Sequence, residues 1–319
     1  MTTPTAGAPE PASAASPAAA EHSPSSRPRW YTHSYNRVEL YRLAGSMGWL
    51  PRPARLGLAG RLGRLAPWFL PAERAAIRKT LARVTGAGGR RLDELTLGVF
   101  REFAMCFSDL LSTNRQPLDR LRTHIAAVRG TERMSDLTGG VISLTAHVGN
   151  WELAGRLLAQ RSARPTHVVV AEEEVQALER WVRRNGDGVR FVPRSRPTVS
   201  LGLVAALRRG EVVALQGDRA LGNRGDVLVP FFGAPAPFPI GPFVLARAAG
   251  APIVPAFCLL EDDRRYAMTV YEPLTVPPGG EETAVRAWVA ILEDVVRQQP
   301  TQWFNFFDVW HPFENGTGA

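Results

Sequence analysis

Apolar residues recur along this chain in two spacings, and the two alternate. From Leu92 to Leu111 (LDELTLGVFREFAMCFSDLL), Leu95, Val99, Phe103 and Phe107 fall four apart, which predicts one helix with a core-facing side. Beyond residue 140, short apolar runs predict strands at Val141–Thr145, His167–Ala171, Val189–Val192, Glu211–Gln216, Val227–Phe232, Pro252–Leu260 and Tyr266–Tyr271. Helical spacing returns at Trp151–Gln160, Val175–Arg184, Thr198–Arg209, Gly241–Ala249 and Glu281–Gln298. Strands alternating with helices predict an α/β fold with a sheet covered on both faces. Asp262-Asp263-Arg264 reads as the turn of an antiparallel hairpin, so the sheet is expected to be mixed and mostly parallel. No internal repeat or second linker divides the pattern, and residues 29–313 read as a single domain.

The ends of the chain fall outside that pattern. Residues 1–28 are almost wholly Ala, Pro, Ser, Thr and Gly, lack the apolar content of a core and are expected to be disordered. They also lack the basic start and apolar run of a signal peptide. Residues 314–319 read as a flexible C-terminus. Cys106 and Cys258 are the only cysteines, too few for a disulfide framework.

Charge changes the reading of the N-terminal third. Arg29–Arg83 holds 11 basic residues against 2 acidic ones, a balance of +9 in a chain whose net charge is +8. Trp30, Tyr31, Tyr35, Tyr41, Trp49, Trp68 and Phe69 are interleaved with the arginines, and Pro51, Pro53 and Pro67 break the segment into short helices. Basic charge draws a segment to an anionic leaflet, and Trp and Tyr favour the interface, so residues 29–83 read as basic amphipathic membrane-surface helices. A solvated helical pair packed on the domain is the alternative. No run approaches the roughly 18 apolar residues that a spanning helix needs. Nucleic-acid binding is not expected, because no zinc-finger, RNP-like or basic-zipper pattern accompanies the charge.

The chemistry concentrates at strand ends. His147-Val-Gly-Asn-Trp-Glu152 follows the run Val141–Thr145 and sets an imidazole and a carboxylate five residues apart across a turn containing Gly149. A neutral histidine can take a proton from a hydroxyl when an acidic group holds its other ring nitrogen. A satisfied structural histidine is the other reading. A second apolar run, Glu211–Gln216, ends in Gly217, Asp218 and Arg219, and ligands of open α/β sheets bind beyond the carboxyl ends of the strands. Other chemistries lack their motifs: Lys79, the one lysine, follows no P-loop pattern, and there is no GxSxG elbow, no GxGxxG after a strand, no HExxH and no CxxC.

Together HVGNWEL at 147–153, QGDR at 216–219, VPFFGAPAPFPIGPFVLARAAGAPIVPAF at 229–257 and QWFNFFDVW at 302–310 resemble the bacterial lipid A biosynthesis and lysophospholipid acyltransferase family, which includes late lipid A and phosphatidylinositol mannoside acyltransferases. HVGNWEL carries the family's H-x4-D/E signature. Gly-Asp-Arg departs from the acidic tetrapeptide usual in members that acylate lipid A, which sets lipid A itself in doubt as acceptor. The resemblance implies a glycerolipid-acyltransferase-like fold and transfer of a fatty acyl chain from an acyl carrier protein or coenzyme A thioester to a hydroxyl of a membrane lipid or glycolipid. No cofactor and no metal are implied, and the setting is the cytoplasmic face of the inner membrane, peripheral or monotopic.

On that reading His147 is the general base and Glu152 the acid that holds its ring. The backbone N–H groups of Gly149, Asn150 and Trp151 are candidate oxyanion donors, with helix capping as the alternative. Asn150, Asp218, Arg219 and Arg224 are the expected substrate-binding residues, the arginines for a phosphate, unless Asp218 and Arg219 simply pair with each other. The aromatic cluster Trp303, Phe304, Phe306, Phe307 and Trp310 reads as core closure or a membrane-facing lip. A non-catalytic lipid-binding protein on the same fold and a thioesterase using the same His–Glu pair remain rival readings.

Overall fold

Alternate residues of the central strands enter two different cores, which is why those strands are apolar throughout. In the computed structural model, which describes residues 49–113, 118–170, 188–194, 198–220 and 225–310, Ile142, Leu144, Val213, Ile253 and Phe257 face one core. Val141, Val212, Val254, Ala256 and Cys258 face the other. The strands are β1 (Ile125–Arg129), β2 (Val141–Thr145), β3 (Thr166–Val170), β4 (Val189–Pro193), β5 (Val212–Gln216), β6 (Asp226–Phe231), β7 (Ala234–Pro239), β8 (Ile253–Leu260) and β9 (Tyr266–Val270). Seven of them form one sheet in the order β1-β9-β8-β2-β5-β3-β4. The strands from β8 to β4 run parallel, and β9 returns antiparallel to β8 with Leu260 opposite Tyr266, as the hairpin reading expected.

The helices are α1 (Arg52–Phe69), α2 (Pro71–Thr85), α3 (Gly89–Thr113), α4 (Leu118–Arg122), α5 (Glu132–Ser135), α6 (Trp151–Ser162), α7 (Val199–Arg208), α8 (Gly241–Ala249) and α9 (Glu281–Gln298). Residues of α7, α8 and α9 share the first core, and those of α1, α2, α3 and α6 the second. Two strands were missed: β1 at the sheet edge and the proline-rich β7, which pairs with β6 in a ribbon apart from the main sheet. The expected helix Val175–Arg184, the basic stretch before residue 49, the N-terminal tail and the C-terminus lie outside the described residues.

Helix α1 is tied down by a buried ionic cluster. Asp109 of α3 accepts hydrogen bonds from Arg52 Nη2 (2.7 Å), Arg55 Nη2 (2.6 Å) and the Tyr266 hydroxyl (3.1 Å). Asp109 is fully buried and Arg55 is only 1% exposed, so removing Asp109 would leave the Arg55 guanidinium buried without its counter-charge. Gly63 brings the two helices close, since a Cβ there would lie 2.6 Å from the Phe100 carbonyl oxygen.

Candidate active site

Strands β2 and β5 pair in parallel with Thr145 opposite Gln216. Two residues further along each strand come His147 and Asp218, so the register brings them level at the carboxyl end of the sheet. The contact follows: His147 Nδ1 lies 2.8 Å from Asp218 Oδ1. An ionised carboxylate can only accept, so Nδ1 carries the proton and the basic lone pair resides on Nε2. Asp218 Oδ2 accepts the backbone N–H of His147 (3.1 Å) and the indole N–H of Trp303 (3.1 Å).

This corrects two expectations. The carboxylate that meets Nδ1 is Asp218, where the sequence reading put Glu152. Asp218 itself, expected to bind substrate, is fully buried beneath the histidine. Closeness in sequence suggested one partner, and strand register supplies another from 71 positions away. Glu152 is 7% exposed in the first turn of α6, where the helix dipole favours a negative charge.

The loop between β2 and α6 is built on backbone hydrogen bonds. Gly149 adopts φ +62°, and a Cβ there would lie 2.1 Å from the Cys258 carbonyl oxygen, so only glycine fits. Its N–H donates to the Gln302 carbonyl (3.0 Å), and the N–H of Asn150 to the Cys258 carbonyl (2.8 Å). Both groups are therefore spent on the fold and cannot serve as the expected oxyanion donors. Trp151 opens the helix, where an N–H has no intrahelical acceptor. Asn150 is 1% exposed, and its Oδ1 caps α6 through the Leu153 N–H (3.1 Å).

Burial alone would raise the Asp218 carboxyl. Attraction and a hydrogen bond from His147, the nearby Arg219 charge and the Trp303 N–H outweigh it and hold the group at about 2. The Trp151 ring meets the His147 ring at 5.2 Å and 63°. Arg219 donates from Nη2 to the Phe304 carbonyl (3.0 Å) and lies over the Phe307 ring, beside the pair and half-buried. Arg224 lies outside the described residues. Cys258 is fully buried and burial pushes its thiol up, so it offers no thiolate beside the loop.

The C-terminal segment is the functional element that residue-by-residue reading missed. Phe304 N–H donates to the His147 carbonyl (2.8 Å), and the Gln302 side chain holds both the N–H (2.8 Å) and the carbonyl (2.6 Å) of Leu260. The signal available in the sequence was Trp303: a buried indole N–H needs an acceptor, and few are provided by an apolar cluster.

Comparison with known proteins identifies the family. Residues 41–311 match the family model of the bacterial lipid A biosynthesis acyltransferases. The chain is similar to a phosphatidylinositol mannoside acyltransferase of Mycobacterium tuberculosis, 28% identical over 73% of this chain and 76% of the relative. It is similar to that of Mycolicibacterium smegmatis, 26% identical over 73% and 78%. A lipid A biosynthesis palmitoleoyltransferase of Escherichia coli matches at 23% identity over 80% of this chain and 84% of its own.

Proposed function

The chain belongs to the bacterial lipid A biosynthesis acyltransferase family and is an O-acyltransferase, and from that premise we propose that it moves a fatty acyl group from a thioester of acyl carrier protein or coenzyme A to a hydroxyl of a membrane glycolipid. The observation that carries the mechanism is the His147–Asp218 pair at the carboxyl ends of β2 and β5. His147 Nε2 takes the proton of the acceptor hydroxyl as its oxygen attacks the thioester carbonyl. Asp218 fixes the tautomer and stabilises the imidazolium that forms. The tetrahedral intermediate collapses, the carbon–sulfur bond breaks, and the departing thiolate takes the proton back from His147. No covalent acyl-enzyme is needed, because the lipid oxygen is the nucleophile.

Glu152 adds a negative charge in the first turn of α6, next to the loop that carries His147. Arg219, with Arg224, supplies positive charge for a phosphate of the acceptor or of the donor's phosphopantetheine. The more similar relatives are named for phosphatidylinositol mannoside, and the Gly-Asp-Arg segment departs from the lipid A pattern, so a glycosylated phosphatidylinositol is the favoured acceptor class.

The outward face of α1 supports a reaction at a lipid surface. That face carries Leu58, Leu62, Leu65, Trp68 (76% exposed) and Phe69 (80% exposed), with exposed Arg61 and Arg64 among them. An apolar stripe flanked by arginines suits an anionic bilayer, with the side chains entering the interface and the guanidinia meeting headgroups. No helix among the described residues is long and apolar enough to cross a membrane. Peripheral attachment to the cytoplasmic face of the inner membrane is the proposed setting.

The test supplies the full chain with an acyl thioester, with and without an under-acylated phosphatidylinositol mannoside or lipid A precursor, and follows thiol release and acceptor mass. Acceptor-dependent release with a gain of one acyl group supports transfer. Release without an acceptor would make the protein a thioesterase, and no release with either carrier would make it a binding protein.

A further inference from the structure

We propose that Trp303 is a positioning residue of the reaction, whose indole N–H fixes the plane of the Asp218 carboxylate so that its other oxygen meets His147 Nδ1. The proposal rests on His147 acting as the base. Its basis is the way the buried carboxylate is held. Oδ1 takes the ring N–H of His147 at 2.8 Å, and Oδ2 takes the His147 backbone N–H and the Trp303 indole N–H, each at 3.1 Å. Two of these three donors therefore belong to the residue being positioned. Without Trp303, both remaining donors to the carboxylate among these three belong to His147, the residue it has to orient.

The indole is itself closely packed. Trp303 is 3% exposed and meets Phe231 edge-on at 5.4 Å and Trp310 at 6.4 Å. Its backbone is bridged to Val148, and the neighbouring Gln302 and Phe304 are hydrogen-bonded to Gly149 and His147. One short segment thus grips the histidine loop by its main chain and the partner carboxylate by a side chain. A neutral donor suits this position, because it satisfies Oδ2 without cancelling the negative charge that the imidazolium needs.

Trp310 provides the comparison. It is fully buried in the same aromatic cluster, but its indole N–H donates to the Phe231 carbonyl (3.1 Å) and touches no part of the pair. Trp303→Phe and Trp310→Phe therefore remove similar bulk and one N–H each, and only the first should alter the chemistry. For Trp303→Phe, kcat should fall about 10-fold or more, as expected for loss of a hydrogen bond to a charged group, with the acceptor KM little changed. The acid limb of kcat against pH should also move upward, because a carboxylate deprived of one donor holds the imidazolium more tightly. For Trp310→Phe, the limb should stay with the wild type.

If Trp303→Phe does not fold, 3-benzothienylalanine inserted at position 303 keeps the shape, lacks only the N–H and should give the same shift. An acid limb that coincides with the wild type in the folded variant overturns the proposal, whatever the loss in kcat. His147→Ala run alongside separates the two levels: an inactive His147→Ala with an unshifted Trp303 limb sinks only the positioning role, whereas a fully active one sinks the base itself.

Discussion

Asp218 stays ionised far into acid, and this governs how turnover should depend on pH. Its carboxyl is held at about 2, below the ordinary 3.8, so the charge and the stability its partners provide are complete above 3.8 and are lost as pH falls towards 2. Across any practical assay range it keeps its charge, and the loss of turnover on acidification should be a one-proton limb belonging to His147. Asp218→Asn keeps the shape but presents an amide that can donate to Nδ1, which moves the basic lone pair away from Nε2. The expected result is a fall in kcat of about 10³–10⁴-fold, as for the same change in a serine-protease triad, with KM nearly unchanged. A large rise in acceptor KM at constant kcat would instead make Asp218 a binding group. His147 was legible as a candidate base from its strand-end position. Its partner was not, because Asp218 is brought to it by the pairing of Thr145 with Gln216, and no local spacing encodes that register. The same limit applies to Gly149 and Asn150, whose N–H groups looked available until Gln302 and Cys258 were seen to accept them.

Between elements, the far end of the same strands carries a second ionic group. Glu211, just ahead of β5, accepts from Arg209 Nε (2.7 Å) and contacts His167 Nε2 of β3 (2.6 Å). The Arg209 hydrogen bond, opposed by partial burial and helped by His167, holds the Glu211 carboxyl at about 2 against an ordinary 4.5. A lowered folded value means that this contribution to stability is present above 4.5 and disappears as pH falls through about 2. Glu211→Gln should thus lower the urea midpoint near neutrality, and its gap from the wild type should close in acid. A gap independent of pH would show that the pairing adds nothing. The central strands were readable because burial on both faces leaves continuous apolar runs. Strand β1 (IAAVR) was missed because it is a short, half-exposed edge in which two alanines dilute the β-branched residues, and β7 (APAPFP) because proline argues against a strand. A two-stranded ribbon tolerates those prolines, since each strand has an open edge where a missing N–H costs no ladder bond.

At the scale of the whole molecule, the Asp109 cluster holds α1 with Arg52 and Arg55 inward and Leu58, Leu62, Leu65, Trp68 and Phe69 outward. The sequence reading proposed a membrane-surface segment but not which side of it would face a lipid, because the helix has apolar residues all round. Replacing Leu62, Leu65 and Trp68 by serine should cut binding to anionic vesicles about 10-fold or more, since each exposed side chain loses roughly 25 cal/mol per Å² of apolar area it would bury. Thermal stability should change little, because these side chains support no core. High salt should release only part of the wild type, by screening the arginines. Undiminished binding of the triple variant would move the docking surface elsewhere. In the proposed reaction, surface attachment, sheet and C-terminal segment serve one chemical event, the removal of a proton from a lipid hydroxyl by His147. The most direct test is the acceptor-dependent rate of thiol release by His147→Ala on vesicles, with unfolding temperature and vesicle binding measured on the same sample. Loss of a general base should lower that rate about 10²–10⁴-fold in a folded, membrane-bound protein; a rate equal to the wild type would contradict the mechanism.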